Sequence, residues 1–222
     1  MLILGIETSG KVASVAVSDN LKIISEVTLN TKLVHSVMLM DLIDTSLKNP
    51  GLSIDDIDIF ACSIGPGSFT GLRIGVSTIK AFSYAKDKKC IGVNSLEALC
   101  YNAFGTNKYI IPVIDAKSNM LFSAVYRFED DALKTYENVG IYSIEEINKF
   151  TEKYKDYVLI GEGIDVYMFE NLNKVPEFIR YQKASNVCIK AFELYNEGKS
   201  ISHFDLNPLY LKKSYAEKEK SI

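Results

Sequence analysis

Histidine is scarce in this chain, with two in 222 residues, His35 and His203, far apart in sequence. No H-x-x-x-H or H-E-x-x-H pattern exists, which excludes a zinc or iron site built on a histidine pair. Arginine is nearly as rare, at Arg73, Arg127 and Arg180. With a formal net charge of -3 and a pI near 5.5, the chain has no global attraction for nucleic acid, although its 22 lysines can form a local patch. The P-loop, the dinucleotide fingerprint and the G-x-S-x-G elbow are all missing, so the common phosphate cradles and the serine nucleophile are unsupported. The four cysteines, Cys62, Cys90, Cys100 and Cys188, form no C-x-x-C pair and lie in apolar runs. They read as reduced core residues of a cytosolic protein. No run approaches the roughly 18 apolar residues of a spanning helix, so no membrane segment is expected. The apolar start, residues 1–6, lacks a basic region and meets Glu7 at once, so it reads as a buried strand instead of a signal peptide. Asp55, Asp56 and Asp58 read as a solvated loop.

What is present is a large apolar inventory: 47% of the residues are hydrophobic, enough for one large domain or two small ones. Residues 2–6, 12–17 and 22–29 read as three strands in an antiparallel meander. The first connection, Glu7-Thr8-Ser9-Gly10-Lys11, sets a carboxylate, two hydroxyls and a glycine at the mouth of a sheet, as a phosphate contact or as a polar hairpin turn. Residues 33–47 and 72–86 read as helices, and both are apolar on more sides than one sheet contact consumes. A helix sandwiched in its own domain and a helix facing a partner both satisfy that pattern. A strand over 57–64, a strand over 90–93 and a helix over 95–104 with Ser95 as N-cap complete the first half. After Gly105-Thr106-Asn107 the order restarts. Strands are expected over 109–114, 121–128 and 132–139, a helix over 143–150, a strand over 157–160 and a helix over 184–197. Glu7 and Asp115 occupy matching first loops of the two halves, which points to two related α/β lobes, 1–104 and a smaller 105–222 whose last residues pack back on the first.

The most informative stretch is Gly65-Pro66-Gly67-Ser68-Phe69-Thr70-Gly71-Leu72-Arg73-Ile74-Gly75, between an apolar strand and a helix. Its glycines permit close approach of backbone to a neighbour, and its hydroxyls suit a helix cap. Amides at a helix start suit an anion. With Thr70 as N-cap, Arg73 falls in the first turn, where the dipole disfavours a cation by roughly 0.3–1 kcal/mol, so an anionic group is expected to face it.

This stretch resembles the TsaB (YeaZ) family, together with Gly5-Ile6-Glu7-Thr8-Ser9, Ile91-Gly92-Val93-Asn94-Ser95-Leu96, Val113-Ile114-Asp115-Ala116-Lys117 and Pro208-Leu209-Tyr210-Leu211. The match runs through nearly the whole chain. It implies a two-lobed actin-like or sugar-kinase-like α/β fold with mixed sheets flanked by helices. It also implies a non-catalytic scaffold in making threonylcarbamoyladenosine on tRNA, as partner of the related TsaD transferase with the TsaE ATPase joining, and a homodimer in isolation. The tRNA is then the substrate of the complex. Where TsaD enzymes carry Val-Asn-His-x-Glu-Gly-His, this chain reads Val93-Asn94-Ser95-Leu96-Glu97-Ala98-Leu99, with both metal-binding histidines replaced. No metal is expected, and no cofactor in the isolated chain, with ATP or ADP only at a junction with partners. The residues of a weak, vestigial nucleotide site are Glu7, Thr8, Ser9, Gly65, Gly67, Asp115, Gly161 and Gly163; glutamate stands at 7 where the family more often has aspartate. The resemblance assigns the two apolar helices to a partner interface, through His35, Leu39, Ile43, Thr70, Gly71, Arg73, Val76, Ile79 and Lys80. The alternative, from the lobed fold alone, is an ATP-dependent small-molecule kinase or ATPase using Glu7, Asp115 and the glycine turns at 65 and 161. A peptidase has neither nucleophile nor metal to support it.

Overall fold

The computed structural model describes residues 1–30, 35–167, 169 and 173–211, apart from the side chains of 35–37. Residues 33 and 34 of the expected first helix, the His35 side chain and the charged tail beyond 211 therefore lie outside the described residues.

Two mixed sheets built on one scheme form the molecule. In the first, β1 (Leu2–Glu7), β2 (Ala13–Asp19) and β3 (Lys22–Leu29) form the expected antiparallel meander, and β4 (Ile59–Gly65) and β5 (Cys90–Asn94) add in parallel beside β1, giving the order β3-β2-β1-β4-β5. In the second, β6 (Tyr109–Asp115), β7 (Met120–Glu129) and β8 (Ala132–Ser143) repeat the meander, and β9 (Tyr157–Ile160) runs parallel beside β6, giving β8-β7-β6-β9. Antiparallel neighbours join by tight turns, whereas parallel ones need a crossover, so helices fall between β3 and β4, β4 and β5, and β8 and β9. These are α1 (His35–Lys48), α2 (Phe69–Lys86) and α4 (Ile144–Lys153); α3 (Ser95–Cys100), α5 (Gly163–Val166) and α6 (Ala184–Asn196) complete the set. The fold class is the one expected.

Alternation along the strands divides each sheet between two cores. On one face of the first sheet, Leu4, Ile6, Val15, Val17, Phe60 and Cys62 pack with Leu39, Leu42 and Ile43 of α1 and Val76 and Ile79 of α2. On the other face, Ile3, Ala16, Ala61, Ile91 and Val93 pack against Ala184, Val187, Cys188 and Ala191 of α6. Thus α6, late in the chain, belongs to the first sheet. Gly5 makes this contact possible, because a Cβ there would stand 2.5 Å from the Cys188 sulfur. The second sheet packs Ile110, Ile114, Ala124 and Tyr126 with Leu96, Leu99 and Cys100 of α3, and Ile111, Val113, Leu121 and Val125 with Ile147 of α4. All four cysteines are buried free thiols, and burial pushes those of Cys62 and Cys100 well above the ordinary range.

Two boundaries differ from expectation for local reasons. Asn94, not Ser95, caps α3, its side-chain oxygen accepting from the amides of Leu96 at 2.9 Å and Glu97 at 3.3 Å. The strand expected to end at 139 continues to Ser143, where a reciprocal capping box with Glu146 starts α4 directly.

Candidate functional site

The glycine turn joins β4 to α2 and lies on the first loop, 7–11. Ser68 is the N-cap, its hydroxyl accepting from the Gly71 amide at 3.3 Å, so the expected Thr70 cap is corrected. Thr70 is instead an exposed residue inside the helix, and Arg73 sits two residues deeper than the dipole argument assumed, past the first turn.

The space left by the glycines is filled by the chain itself. A Cβ on Gly71 would overlap the Thr8 carbonyl, one on Gly67 the Ser9 carbonyl, and one on Gly75 would stand 2.6 Å from the Thr8 hydroxyl. Two bonds close the same contact: the Ser68 amide to the Ser9 carbonyl at 2.7 Å, and the Thr8 hydroxyl to the Gly71 carbonyl at 2.8 Å. Glu7, Thr8 and Ser9 are at most 1% exposed. Of the residues expected in a weak, vestigial nucleotide site or a polar hairpin turn, Thr8, Ser9 and Gly67 thus make an internal backbone contact, while a Cβ on Gly65 would stand 2.7 Å from the Leu209 carbonyl. The Glu7 carboxylate faces inward, accepting from the Ser9 amide at 2.6 Å and from the Ser63 hydroxyl. Burial holds its pKa above the ordinary value, against the lowering pull of those donors, and the Glu162 charge adds to the rise.

The second sheet repeats the device. Gly65 ends β4 at φ +119° and Gly161 follows β9 at φ +116°, a conformation that favours glycine at both strand ends. A Cβ on Gly161 would overlap the Val113 carbonyl, and one on Gly163 would stand 2.7 Å from Leu121. Asp115 is held at the end of β6, accepting from the Lys117 amide at 2.8 Å, the Tyr167 hydroxyl at 2.9 Å and the Lys117 ammonium. Burial works to raise its pKa, but these donors together leave it below the ordinary value. The expected residues thus form two internally packed turns, one in each half.

Glu162 and Gln182 were not singled out by sequence reasoning, yet they join the halves. Glu162, 6% exposed, accepts from the Lys11 amide at 2.9 Å, and burial raises its pKa. The Gln182 amide lies against Gly10, 2.6 Å from where a Cβ would stand. For Glu162 the available signal was its place between two glycines; Gln182 had none.

Positions 95 and 99, where the resemblance places transferase metal histidines, are both buried with 0% exposure. Leu99 packs in the second-sheet core, 3.1 Å from where a Cβ on Gly161 would stand, and the Ser95 hydroxyl has no hydrogen-bond partner among the described residues. A leucine side chain has no donor atom for a metal, so these residues do not fit one. The described residues contain no group of three or more His, Cys, Asp or Glu that could hold a metal ion.

On the two helices expected to face a partner, Leu39, Ile43, Val76 and Ile79 are at most 4% exposed and belong to the first core. Gly71 is buried against Thr8. The assignment of these residues to an interface is corrected: Leu39, Ile43, Val76 and Ile79 pack on the sheet. Thr70 and Arg73 are exposed and Lys80 is half-buried. Between the helices a groove of about 350 Å³ is lined by Met40, Leu47, Leu52 and Phe82, with Met40 54% exposed. Arg73 donates from Nε to the Tyr210 hydroxyl at 2.9 Å, and its guanidinium carbon lies 5.7 Å from that ring's centre. One contact of Arg73 is thus an aromatic hydroxyl from far along the chain. No described helix is long and apolar enough to cross a membrane.

The model of the family described as TsaD, tRNA N6-adenosine threonylcarbamoyltransferase, matches residues 22–219. A tRNA threonylcarbamoyladenosine biosynthesis protein TsaB of Buchnera aphidicola is 28% identical over 210 residues, covering 91% of this chain and 99% of that one. The protein of that name from Bacillus subtilis is 26% identical over 223 residues, covering 98% and 96%. The solved structure of YeaZ from Pseudomonas aeruginosa superposes with a TM-score of 0.82 at 19% identity, covering 95% of this chain and 99% of that one, a likeness of fold. The chain belongs to this threonylcarbamoyltransferase-related family, on its TsaB (YeaZ) branch.

Proposed function

We propose that this chain is a non-catalytic subunit in the threonylcarbamoyladenosine modification of tRNA, which binds and supports the TsaD transferase while the TsaE ATPase joins the assembly. The observation that carries the reading is Leu99: a core leucine stands where the transferase pattern has a metal-binding histidine. Its neighbour in that pattern, Ser95, is equally buried. The chain keeps the transferase-like frame, matched by the family model over 22–219, without the donor set. The tRNA is the substrate of the complex.

The docking face is the outer side of α1 and α2, reduced to what is exposed: Met40, Thr70, Arg73, Ser77 and Tyr84, with the groove between the helices. An exposed apolar groove rimmed by polar residues suits a partner helix or a second copy of the chain. In the chain alone the same face makes the homodimer. A small-molecule kinase or ATPase is less well supported, because Thr8 and Ser9 fill the glycine turn where phosphates would lie. ATP or ADP would then bind only at a junction with partners.

Co-elution with the cognate transferase from a sizing column tests the reading. A stable complex is expected. Ser77→Glu, on the exposed side of α2, should abolish co-elution while leaving the thermal midpoint unchanged. A wild-type chain that never co-elutes with the transferase overturns the proposal.

A further inference from the structure

The second sheet carries a cluster of tyrosines and cations that the function proposed above leaves unused. Arg127 of β7 stands directly opposite Lys134 of β8, so two cations lie side by side on one face of the sheet. Like charges in that position repel. Lys134 is exposed and Arg127 half-buried. Among the described residues neither has a hydrogen bond or an ion pair, and the Arg127 Nε is buried without an acceptor. The one carboxylate on each strand is committed elsewhere: Glu129 accepts from the Tyr136 hydroxyl, and Glu137 accepts from Lys153 at 2.6 Å and from the Tyr154 hydroxyl at 2.8 Å. A desolvated donor with no acceptor costs stability unless something outside the chain supplies one. The guanidinium is nevertheless held in place, its carbon 5.2 Å from the centre of the Tyr109 ring, which packs in turn on Tyr136 at 4.9 Å and Tyr154 at 4.6 Å. Val125 pairs with Glu137 and Tyr126 with Thr135, so Tyr136 is an extra residue on β8. Such a bulge re-aims a side chain. Here it brings the ring against Tyr109 and leaves the residue 39% exposed.

We propose that this cluster binds one nucleotide unit of single-stranded RNA, with the phosphate on Arg127 and Lys134 and the base on the ring of Tyr136. This rests on the function proposed above, in which tRNA is the substrate of the complex. A guanidinium presents a planar fork that suits phosphate oxygens, and Lys134 adds a second charge beside it. The phosphate supplies the acceptor that Arg127 lacks and offsets the repulsion between the two cations. Because Arg127 is already stacked on Tyr109, it loses little rotamer freedom on binding. An exposed tyrosine next to a cation takes a base by stacking, whatever the base. With a formal net charge of -3 the chain has no global attraction for RNA, so a contact has to be local, and two adjacent cations provide one. A free nucleotide offers the same phosphate and base, and the test separates the two sources.

Fluorescence anisotropy of a labelled single-stranded oligoadenylate, titrated with the full chain at several salt concentrations, tests the proposal. Lys134→Ala should weaken binding and reduce the slope of log affinity against log salt by about 0.7, the share of one phosphate contact on a single strand. Its thermal midpoint should not fall, because the position is exposed and a repulsion is removed. Tyr136→Ala should weaken binding by about 5- to 100-fold with the slope unchanged, the loss expected for one stacked base. Tyr136→Phe keeps the ring, gives up the bond to Glu129, and should bind as the wild type does. Should Tyr136→Ala fail to fold, Lys134→Ala still decides by its salt slope. A wild-type chain that does not bind the oligonucleotide, or a Lys134→Ala chain with wild-type affinity and slope, would overturn the site. Competition by adenosine monophosphate or inorganic phosphate as effective as that by unlabelled oligoadenylate, per phosphate, would overturn the RNA occupant in favour of a free nucleotide or anion. Co-elution with the transferase is read separately. A chain that co-elutes yet binds no oligonucleotide loses this site and keeps the proposed function; one that binds the oligonucleotide without co-eluting keeps the site and loses that function.

Discussion

At Gly71 one methyl group decides whether the first loop can close on the glycine turn. The Thr8 carbonyl occupies the place of a Cβ, and both are backbone, so neither side can swing away. Gly71→Ala is therefore expected to destabilise the fold by about 1–3 kcal/mol or more, by overpacking. Gly51 is the control: it has φ +75° with nothing within 4 Å of a built Cβ, so Gly51→Ala should cost only the left-handed conformation, about 1 kcal/mol. Denaturant midpoints of the two variants decide; equal losses would mean that close packing at Gly71 is unimportant. The glycine spacing was legible in the sequence, but its occupant was not. Spacing reports that something approaches the backbone, and a phosphate and a carbonyl 60-odd residues upstream leave the same trace. Glu7 makes a second residue-scale case. Its pKa is raised from the ordinary 4.5 by burial, so the folded chain binds this proton more tightly than the unfolded chain. That part of the stability is full below the ordinary carboxylate value and is lost as pH rises through the folded one, at about 1.4 kcal/mol for each unit of elevation. Glu7→Gln should flatten the decline in unfolding free energy as pH rises above the ordinary carboxylate value; an unchanged slope would place the cost elsewhere, with Glu162 the next group to test.

Among the elements, α2 separates what periodicity can establish from what it leaves open. The apolar breadth of α1 and α2 was plain in the sequence, and two explanations, burial in the chain and burial against a partner, produce the same pattern. Packing decides for the chain: Ile79 is fully buried, and Val76 and Leu39 nearly so, among Leu4, Phe60 and Cys62. Ile79→Ala should then cost about 2–5 kcal/mol of stability, seen as a lowered unfolding midpoint. A glutamate at 79 should prevent folding instead of merely breaking a complex. If Ile79→Ala left stability intact and only weakened association, the residue would be interface after all. The caps were less legible. Ser68, Thr70, Asn94 and Ser95 are all good capping types in adjacent positions, and the choice between them rests on backbone geometry that composition does not record.

For the molecule as a whole, the restart after residue 105 and the paired loop carboxylates Glu7 and Asp115 carried real information, since both sheets follow one scheme and both halves close a glycine turn on the first strand's end. What joins the halves was hidden, because Glu162 to Lys11 and a strap from Ile201 to Leu211 are contacts across long sequence separations. The central claim is that this frame supports a transferase without performing the transfer, since Leu99 and Ser95 supply neither of the two imidazoles of the transferase pattern. The most direct test is formation of threonylcarbamoyladenosine on tRNA in a reconstituted reaction, with this chain alone, with the cognate transferase and TsaE ATPase alone, and with all three. The account predicts product only when this chain and the transferase are both present, with undiminished yield from a chain in which Ser95 is replaced by alanine. Product from this chain alone, or full product without it, would contradict the account.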